Sequence, residues 1–484
     1  MSTSGITLLG LGPGDPALLT RQAWDLLQNI PEIYLRSRLH PTVAGFPPDL
    51  RVKSFDHLYQ NGQSFESVYH QIVEQILNLG ERPEGVVYAV PGHPFVAEAT
   101  TPQIASRARE TGIPVSVIEG LSFLEAVFAA LEVDPFPHTI LIDALELAAS
   151  HHPSIPPDSP AIVAQLYSPV VASEVKLTLM ALYPDEHPVR MVHAAGTPQV
   201  LVEEIPLFEM DRSAHIGLMT AIYIPPLGAN TSFEAFQELV AHLRAPEGCP
   251  WDREQTHRSL RPHLLEEAYE VLTALDAEDV NALREELGDL LLQIVLHAQI
   301  ASEYGEFTMS DVLGNIHAKL VHRHPHVFGD LKLKDKQGVI QNWERLKAAE
   351  RRSSGLADKG LLDGIAIILP ALSQAEAFQK RAARVGFDWA NLQGVIDKID
   401  EEFREVRQAF DPETRAAEIG DLLFAVVNLA RWLDVDAESA LREANGRFRK
   451  RFAYIESSAR AQGREMSEFS LEEMDDLWNE AKKR

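Results

Sequence analysis

Cysteine is all but missing: Cys249 is the only one in 484 residues. One thiol excludes an intramolecular disulfide and any cysteine-rich zinc site, and it fits a reducing cytoplasm. Basic residues are scarce as well, with 44 Lys+Arg against 71 Asp+Glu and a net charge of −27. A chain that grips nucleic acid by its phosphates displays a basic face, so no nucleic-acid partner is expected. No apolar run approaches the roughly 18 residues that cross a bilayer, and the first residues carry no basic leader. The expectation is therefore no membrane partner and a cytoplasmic location. What is there is ordinary globular composition, 45% hydrophobic and 24% charged. At roughly 100–200 residues per domain, the length implies two to four domains.

The texture of the chain changes near residue 225. Before it, β-rich apolar runs at 6–9, 86–90, 115–118, 139–142, 161–166 and 216–224 alternate with helical patterns. Strands interleaved with helices predict βαβ units and a mostly parallel sheet. The segment IPPLGAN (224–230) then reads as a breaker and linker. Beyond it helical periodicity takes over. Only 11 Lys+Arg and 25 Asp+Glu fall before residue 226, and the second half is densely charged with both signs mixed, as solvated helix faces are.

That second half repeats itself. ELGDLLLQIVLHAQ (286–299) aligns with EIGDLLFAVVNLAR (418–431), with seven identities in fourteen. Upstream, EEAYE (266–270) matches EEFRE (401–405). Downstream, Lys319 and Arg323 match Arg447 and Arg451, and Trp343 and Lys347 match Trp478 and Lys482. Four elements recur in one order, which indicates a duplication with its joint near 351–355.

Within a copy, Glu402 and Glu405 are i, i+3 on one helix face, and Glu418 and Asp421 are spaced alike on the next helix. Two such helices packed antiparallel bring four carboxylates to one spot. EExxE alone is an ordinary solvated helix face. Followed by ExxD beside the apolar Leu422, Leu423, Val426 and Val427, and present twice, it needs another reason. Converging anions repel unless divalent cations neutralise them, and all-oxygen ligation selects Mg²⁺ or Mn²⁺ over zinc. Carboxylate-held Mg²⁺ commonly serves phosphate chemistry. Arg447 and Arg451, one turn apart, and Lys482 then become candidates for phosphate oxygens. Trp478 is a flat face for a base or else an ordinary core residue.

With CPWD (249–252) and HRHPHVF (322–328), these motifs over 232–484 closely resemble the MazG family of all-α nucleoside triphosphate pyrophosphohydrolases. The resemblance implies Mg²⁺-dependent attack of water on a nucleoside triphosphate, giving NMP and pyrophosphate, and homodimers of helical bundles. It implies that Glu402, Glu405, Glu418 and Asp421 hold magnesium and form the catalytic set. It assigns nucleotide binding to Lys398, Arg447, Arg451, Trp478 and Lys482. In the first copy the matching metal set is Glu267, Glu270, Glu286 and Asp289, with Lys319, Arg323, Trp343 and Lys347. His263 stands there in place of Lys398. The second copy is favoured as the catalyst, and the first is not excluded.

In the N-terminal half, ITLLGLGPGDP (6–16) is a strand entering a Gly/Pro loop and then a helix. Such a loop lets backbone approach a ligand or merely shapes a turn. Pro13 removes a donor, which argues against a dinucleotide fingerprint. VYAVPGHP (87–94), VIEGLSFL (117–124) and GTPQ (196–199) are similar strand-to-loop units. Together they resemble the tetrapyrrole (corrin/porphyrin) methylases over about 1–224, two-lobed α/β proteins that bind S-adenosylmethionine. That resemblance points to Pro13, Gly92, His93, Val96, Ser122 and Leu166 as cofactor-binding positions. Two departures stand out, His93 where the family has Asp and Glu119 where it has Pro. Methyl transfer to a polycarboxylate also wants cationic clamps, so the few basic residues favour cofactor binding over methylation of such an acid.

The whole chain thus resembles the bacterial methylase–MazG fusions of YabN type. The expected fold is multidomain: a two-lobed α/β methylase-like domain (1–224), then an all-α MazG-type bundle in duplicate (225–352 and 353–484). The leading function is a nucleoside triphosphate pyrophosphohydrolase fused to a SAM-binding domain. Two alternatives are a SAM-dependent methyltransferase with accessory MazG domains and a ligand-sensing regulatory module.

Overall fold

The computed structural model describes residues 5–59, 64–332, 335, 338, 339, 342, 343, 345, 346 and 360–483. The chain separates into two compact units, Met1–Leu239 and Val240–Arg484.

The first unit holds two five-stranded sheets. In one, β1 (Ile6–Gly10), β2 (Glu32–Leu35), β3 (Arg51–Ser54), β4 (Val86–Val90) and β5 (Val115–Ile118) lie in the order β3-β2-β4-β1-β5, all parallel. Parallel neighbours need crossovers; α1 (Arg21–Asn29), α2 (Phe65–Gly80) and α3 (Thr100–Thr111) supply three of the four connections, and 36–50 joins β2 to β3 with only a short 3₁₀ turn at Pro41–Gly45. Alternate side chains of the central strands face opposite sides. Ile6, Leu8 and Tyr88 pack with Ile72, Ile76 and Ile104, while Leu9, Val87 and Ala89 pack with Leu27 and Ile33. Both faces are therefore covered, as a parallel sheet requires. The C-terminal ends of β1, β4 and β5 emerge along one edge, each into a glycine loop.

The other sheet corrects the expectation of parallel strands. It contains β6 (Ile140–Asp143), β7 (Ala161–Ala164), β8 (Pro188–His193), β9 (Leu201–Pro206) and β10 (Thr220–Ile224), ordered β6-β7-β10-β8-β9. Only β6 and β7 run parallel; β10 is antiparallel to β7 and β8, and β8 to β9. The short link 194–200 leaves no room for a crossover helix, so β8 and β9 must pair as a hairpin. α4 (Phe123–Leu131) leads from the first sheet and packs Val127 and Leu131 on Ile162, Val192 and Ala221 of the second. α5 (Pro169–Leu179) buries Val175 and Leu179 against Val163, Met191 and Ile222.

Among its described residues the second unit has no strands. Its first hairpin joins α6 (Arg261–Asp276) to α7 (Val280–Glu303), and α8 (Met309–Arg323) follows. After the joint come α9 (Ala371–Ala383), α10 (Leu392–Gln408), α11 (Pro412–Trp432), α12 (Ala437–Ala461) and α13 (Leu471–Ala481). The hairpins α6–α7 and α10–α11 share one design, and caps set the start of their second helices. Asp279 Oδ1 accepts from the amides of Asn281 and Ala282 at 3.0 and 3.1 Å. Asp411 Oδ1 accepts from Thr414 N at 2.8 Å, with Pro412 at the first helical position. Each cap is worth about 1 kcal/mol and fixes where the helix begins, and with it which face carries ExxD. No described helix is long and apolar enough to cross a membrane.

Candidate functional site: two carboxylate clusters and a glycine-loop crevice

In the second copy, α10 presents Glu402 and Glu405 to Glu418 of α11. One carboxylate oxygen from each lies within 4.8 Å of the others. Oxygens on opposite sides of one octahedral Mg²⁺ are about 4 Å apart, so small rotamer adjustments would close this set on one cation. Glu402 is only 5% exposed. Lys398, one turn earlier, reaches its carboxylate at 2.8 Å and that of Glu401 at 2.9 Å, and these contacts hold the lysine's pKa up. Burial, and then the charges of Glu405, Glu402 and Asp421, push the Glu418 carboxyl above its ordinary value. The donor set is all oxygen and carries an excess of negative charge, so it fits a hard divalent cation.

The first copy repeats the cluster with Glu267, Glu270 and Glu286. Burial and Asp289 raise the Glu267 carboxyl, and burial with Glu270 raises that of Glu286. The cation beside the cluster differs. His263 stands 3.7 Å from Glu266 and makes no ion pair with Glu267 like that of Lys398 with Glu402.

Beside the second cluster opens a cavity of about 600 Å³. Asp421, the fourth predicted ligand, lines it together with Glu402 and Lys398. The remaining wall comes from α9, the segment Phe387–Trp389 and the apolar stripe of α11. Asp388 and Arg431 meet there at 2.6 Å, and Asn428 accepts from Arg431 Nε and Nη2 at 3.0 and 2.7 Å. Sequence reasoning passed over Asp388, Trp389 and Asn428. The available signal was Asn428 itself, one amide inside the run LLFAVVNLA, seven residues beyond Asp421.

The other predicted nucleotide ligands form a separate group. Arg451 lies 5.4 Å from the centre of the Trp478 ring, which also meets Phe448 at 5.1 Å. Arg447 pairs with Glu443 on its own helix, and Lys482 donates to Asn479. Among the described residues no hydrogen bond or ion pair joins this group to the carboxylates of α10 and α11. In the first copy Lys319 is exposed on α8 and Trp343 stands 5.6 Å from the His324 ring. Lys347 lies outside the described residues.

In the first unit the glycine loops converge. Gly12 and Gly92 exchange backbone hydrogen bonds of 2.9 and 3.2 Å, and both have positive φ, +71° and +66°. Gly10 fits against Gly120 and Gly92 so closely that a Cβ would come within 2.6 Å of their backbones. Its glycine is therefore required by loop-on-loop packing, a reason the sequence reading did not consider. Pro13 is buried against Gly196, and Asp15 N donates to Gly196 O at 2.8 Å, so the predicted loops of the two lobes touch. A Cβ at Gly92 would meet nothing nearer than Ser122 Cα at 3.8 Å, which leaves room before that loop. Ser122 caps α4 through Leu124 N, and Leu166 is wholly buried in the core, so only its backbone can reach a ligand. His93 Nδ1 accepts from Phe95 N at 3.1 Å, and Val96 N donates to His93 O at 3.2 Å. Glu119 is exposed and its carbonyl accepts from Thr20 Oγ1 at 3.2 Å, so neither departure breaks its loop. Arg36, at the end of β2, is tied to buried Glu98, Tyr59 and Tyr69.

Thr42 clamps the first glycine loop, donating to the carbonyls of Leu11 and Gly14 at 3.1 and 3.0 Å. Two residues earlier, His40 Nδ1 is buried without a partner, and burial lowers its pKa to about 4. A free imidazole titrates near 6.5, so the unfolded chain takes up the proton first. The stability linked to neutral His40 is then fully present above about pH 6.5 and is lost as the pH falls toward 4. Thermal melts across that range should show a shallower decline in His40→Phe; equal slopes would refute the assignment.

Sequence profiles agree with this layout. The profile of tetrapyrrole (corrin/porphyrin) methylases matches residues 5–211, and that of the MazG nucleotide pyrophosphohydrolase domain matches 255–328, within the first copy. Over 99% of its length the chain is 43% identical to the uncharacterized protein YabN of Bacillus subtilis, covering 98% of that protein. The chain belongs to the YabN family. In this chain a tetrapyrrole methylase domain is joined to a MazG domain. The MazG nucleoside triphosphate pyrophosphohydrolase of Thermotoga maritima is 45% identical over 52% of this chain and 97% of its own. A uroporphyrin-III C-methyltransferase structure from Thermus thermophilus, complexed with S-adenosyl homocysteine, aligns with 46% of this chain and 97% of its own, at 20% identity and TM-score 0.34. This YabN-family chain is thus an α/β methylase-like unit followed by a helical MazG unit.

Proposed function

We propose that this protein is a Mg²⁺- or Mn²⁺-dependent nucleoside triphosphate pyrophosphohydrolase of the cytoplasm, with its chemistry in the second MazG copy. The domains are 1–224, 225–352 and 353–484. The observation that carries the reading is the buried Glu402, gathered with Glu405 and Glu418 within 4.8 Å and lining a cavity together with Asp421. A buried carboxylate among like charges is costly without a cation, and Lys398 alone offsets only part of that charge.

Glu402, Glu405, Glu418 and Asp421 would hold the cation, whose charge would supply screening of the triphosphate oxygens and acidification of a water. The same carboxylates would place an attacking water toward the α-phosphorus. A new P–O bond forms there, the α–β bridging oxygen leaves with pyrophosphate, and one proton is released. Lys398, released from Glu402, would meet a phosphate oxygen, and Arg447, Arg451 and Lys482 would hold the rest, with Trp478 supporting Arg451. The T. maritima relative's name supports the choice of substrate. Exposed Phe403 and Leu423 on one hairpin, and Leu265 and Leu287 on the other, support a homodimer that covers them.

The N-terminal half would bind S-adenosylmethionine or its demethylated product at the glycine loops, with Pro13, Gly92, His93, Val96, Ser122 and the backbone of Leu166 around it. Neutralisation of Arg36 by Glu98 argues against a polyanionic methyl acceptor. The deciding experiment is product analysis of each nucleoside triphosphate incubated with the protein and Mg²⁺. NMP and pyrophosphate are expected; NDP and orthophosphate would sink the proposal.

A further inference from the structure

The cavity beside the carboxylates has a far wall that metal and phosphate chemistry does not use. On α11, Asp421, Phe424, Ala425 and Asn428 face it at i, i+3, i+4 and i+7. Seven residues of helix rise about 10 Å, so this stripe runs from the carboxylates to a point about a nucleoside's length away. At that point Arg431 locks two side chains together. Its Nε and Nη2 both donate to Asn428 Oδ1, which leaves the amide NH₂ turned away from the arginine. Nη2 also donates to Asp388 Oδ1 at 2.6 Å, and that oxygen accepts from Trp432 Nε1 and Trp389 N at 3.1 and 2.9 Å. Every donor to Asp388 goes to Oδ1. Asp388 Oδ2 and Asn428 Nδ2 have no partner among the described residues.

From this arrangement we infer that Asp388 and Asn428 read the edge of the substrate's nucleobase, with Trp389 as its stacking surface; the inference rests on the hydrolase reading above. One fixed acceptor beside one fixed donor matches the adjacent N–H and ring-nitrogen or carbonyl acceptor that every standard base carries. The pair therefore selects for a base without choosing among bases. Trp389 is 44% exposed, and its ring lies close over Gly394 in the first turn of α10, where a Cβ would come within 2.8 Å. Volume agrees, since about 600 Å³ lies within the range of small-molecule sites. The first copy lacks the device: Leu296 and Gln299 occupy the positions aligned with Asn428 and Arg431.

The test compares nucleoside triphosphates with ribose 5′-triphosphate, which has phosphates and sugar but no base, as substrates of the full chain with Mg²⁺. Asn428→Leu installs the first copy's residue, and Trp389→Ala removes the stacking face. In both variants the ratio of kcat/KM for nucleoside triphosphates to that for ribose triphosphate should fall about tenfold or more, chiefly through KM. An unchanged ratio, with both substrates slowed equally or neither slowed, would overturn the assignment. If the native chain hydrolyses neither substrate, the hydrolase reading fails and calorimetric binding decides the pocket. Weaker nucleotide binding in Asn428→Leu would support it, and equal or absent binding would overturn it.

Discussion

Replacing Glu402 by glutamine should lower nucleoside triphosphate hydrolysis by about a thousandfold while the helices stay folded. Glutamine keeps the volume of the buried side chain and removes its charge, so the set Glu402, Glu405, Glu418 loses its most enclosed oxygen anion. A metal's electrostatic contribution to the transition state is several kcal/mol, and about 4 kcal/mol corresponds to that factor. Asp421→Asn should fall in the same direction. The informative comparison is Glu270→Gln, the same change in the first copy. Its activity should stay near the native rate if the chemistry is confined to the second copy. Unchanged turnover in Glu402→Gln would refute the metal assignment, and loss only in Glu270→Gln would move the chemistry to the first hairpin. Circular dichroism checks the fold of each variant.

The second large effect belongs to the N-terminal half. Titrating S-adenosylmethionine or S-adenosylhomocysteine into the full chain should raise the melting temperature of the first unit. At a hundredfold excess over Kd the stabilisation is about 2.7 kcal/mol. Gly92→Val should abolish the shift, because its side chain would fill the space before Ser122 and the +66° φ disfavours a branched residue. Thr20→Ala, which removes the hydroxyl's bond to Glu119 O, is the milder probe of the same loops. No shift in the native protein at millimolar ligand would mean that this half has lost its cofactor. His93 and Glu119 would be the first residues to restore.

Strands were legible in the sequence where they form apolar runs, whether buried throughout or partly exposed like β5 and β6. β1 and β4 are central, covered on both faces and almost purely apolar, so they stand out as runs. β2 and β3 carry Glu32, Arg51 and Lys53, and β9 carries Glu203 and Glu204; these short or edge strands show no comparable run. The antiparallel half of the second sheet depends on a short link, and a run of β-branched residues does not state its direction. The carboxylate helices were legible because acids at i, i+3 inside apolar helices conflict with their surroundings, and the duplication displays that conflict twice. The far wall of the cavity was not. Asn428 in an apolar helix is an unremarkable amide until Arg431 fixes its orientation, and that arginine is meaningful only with Asp388 brought in from outside the helix.

The mutual seating of Gly10, Gly92 and Gly120 bears on how such a protein can change over generations. Three loops from three strands meet at one hub with no side chain between them. A side chain at Gly10 or Gly120 would press on the backbone of all three loops, so those two positions admit almost no gradual drift. New ligand preferences in this lobe must arise around it, on the outer strands or on the second lobe. A chain that had abandoned its original ligand long ago would still carry the same three glycines.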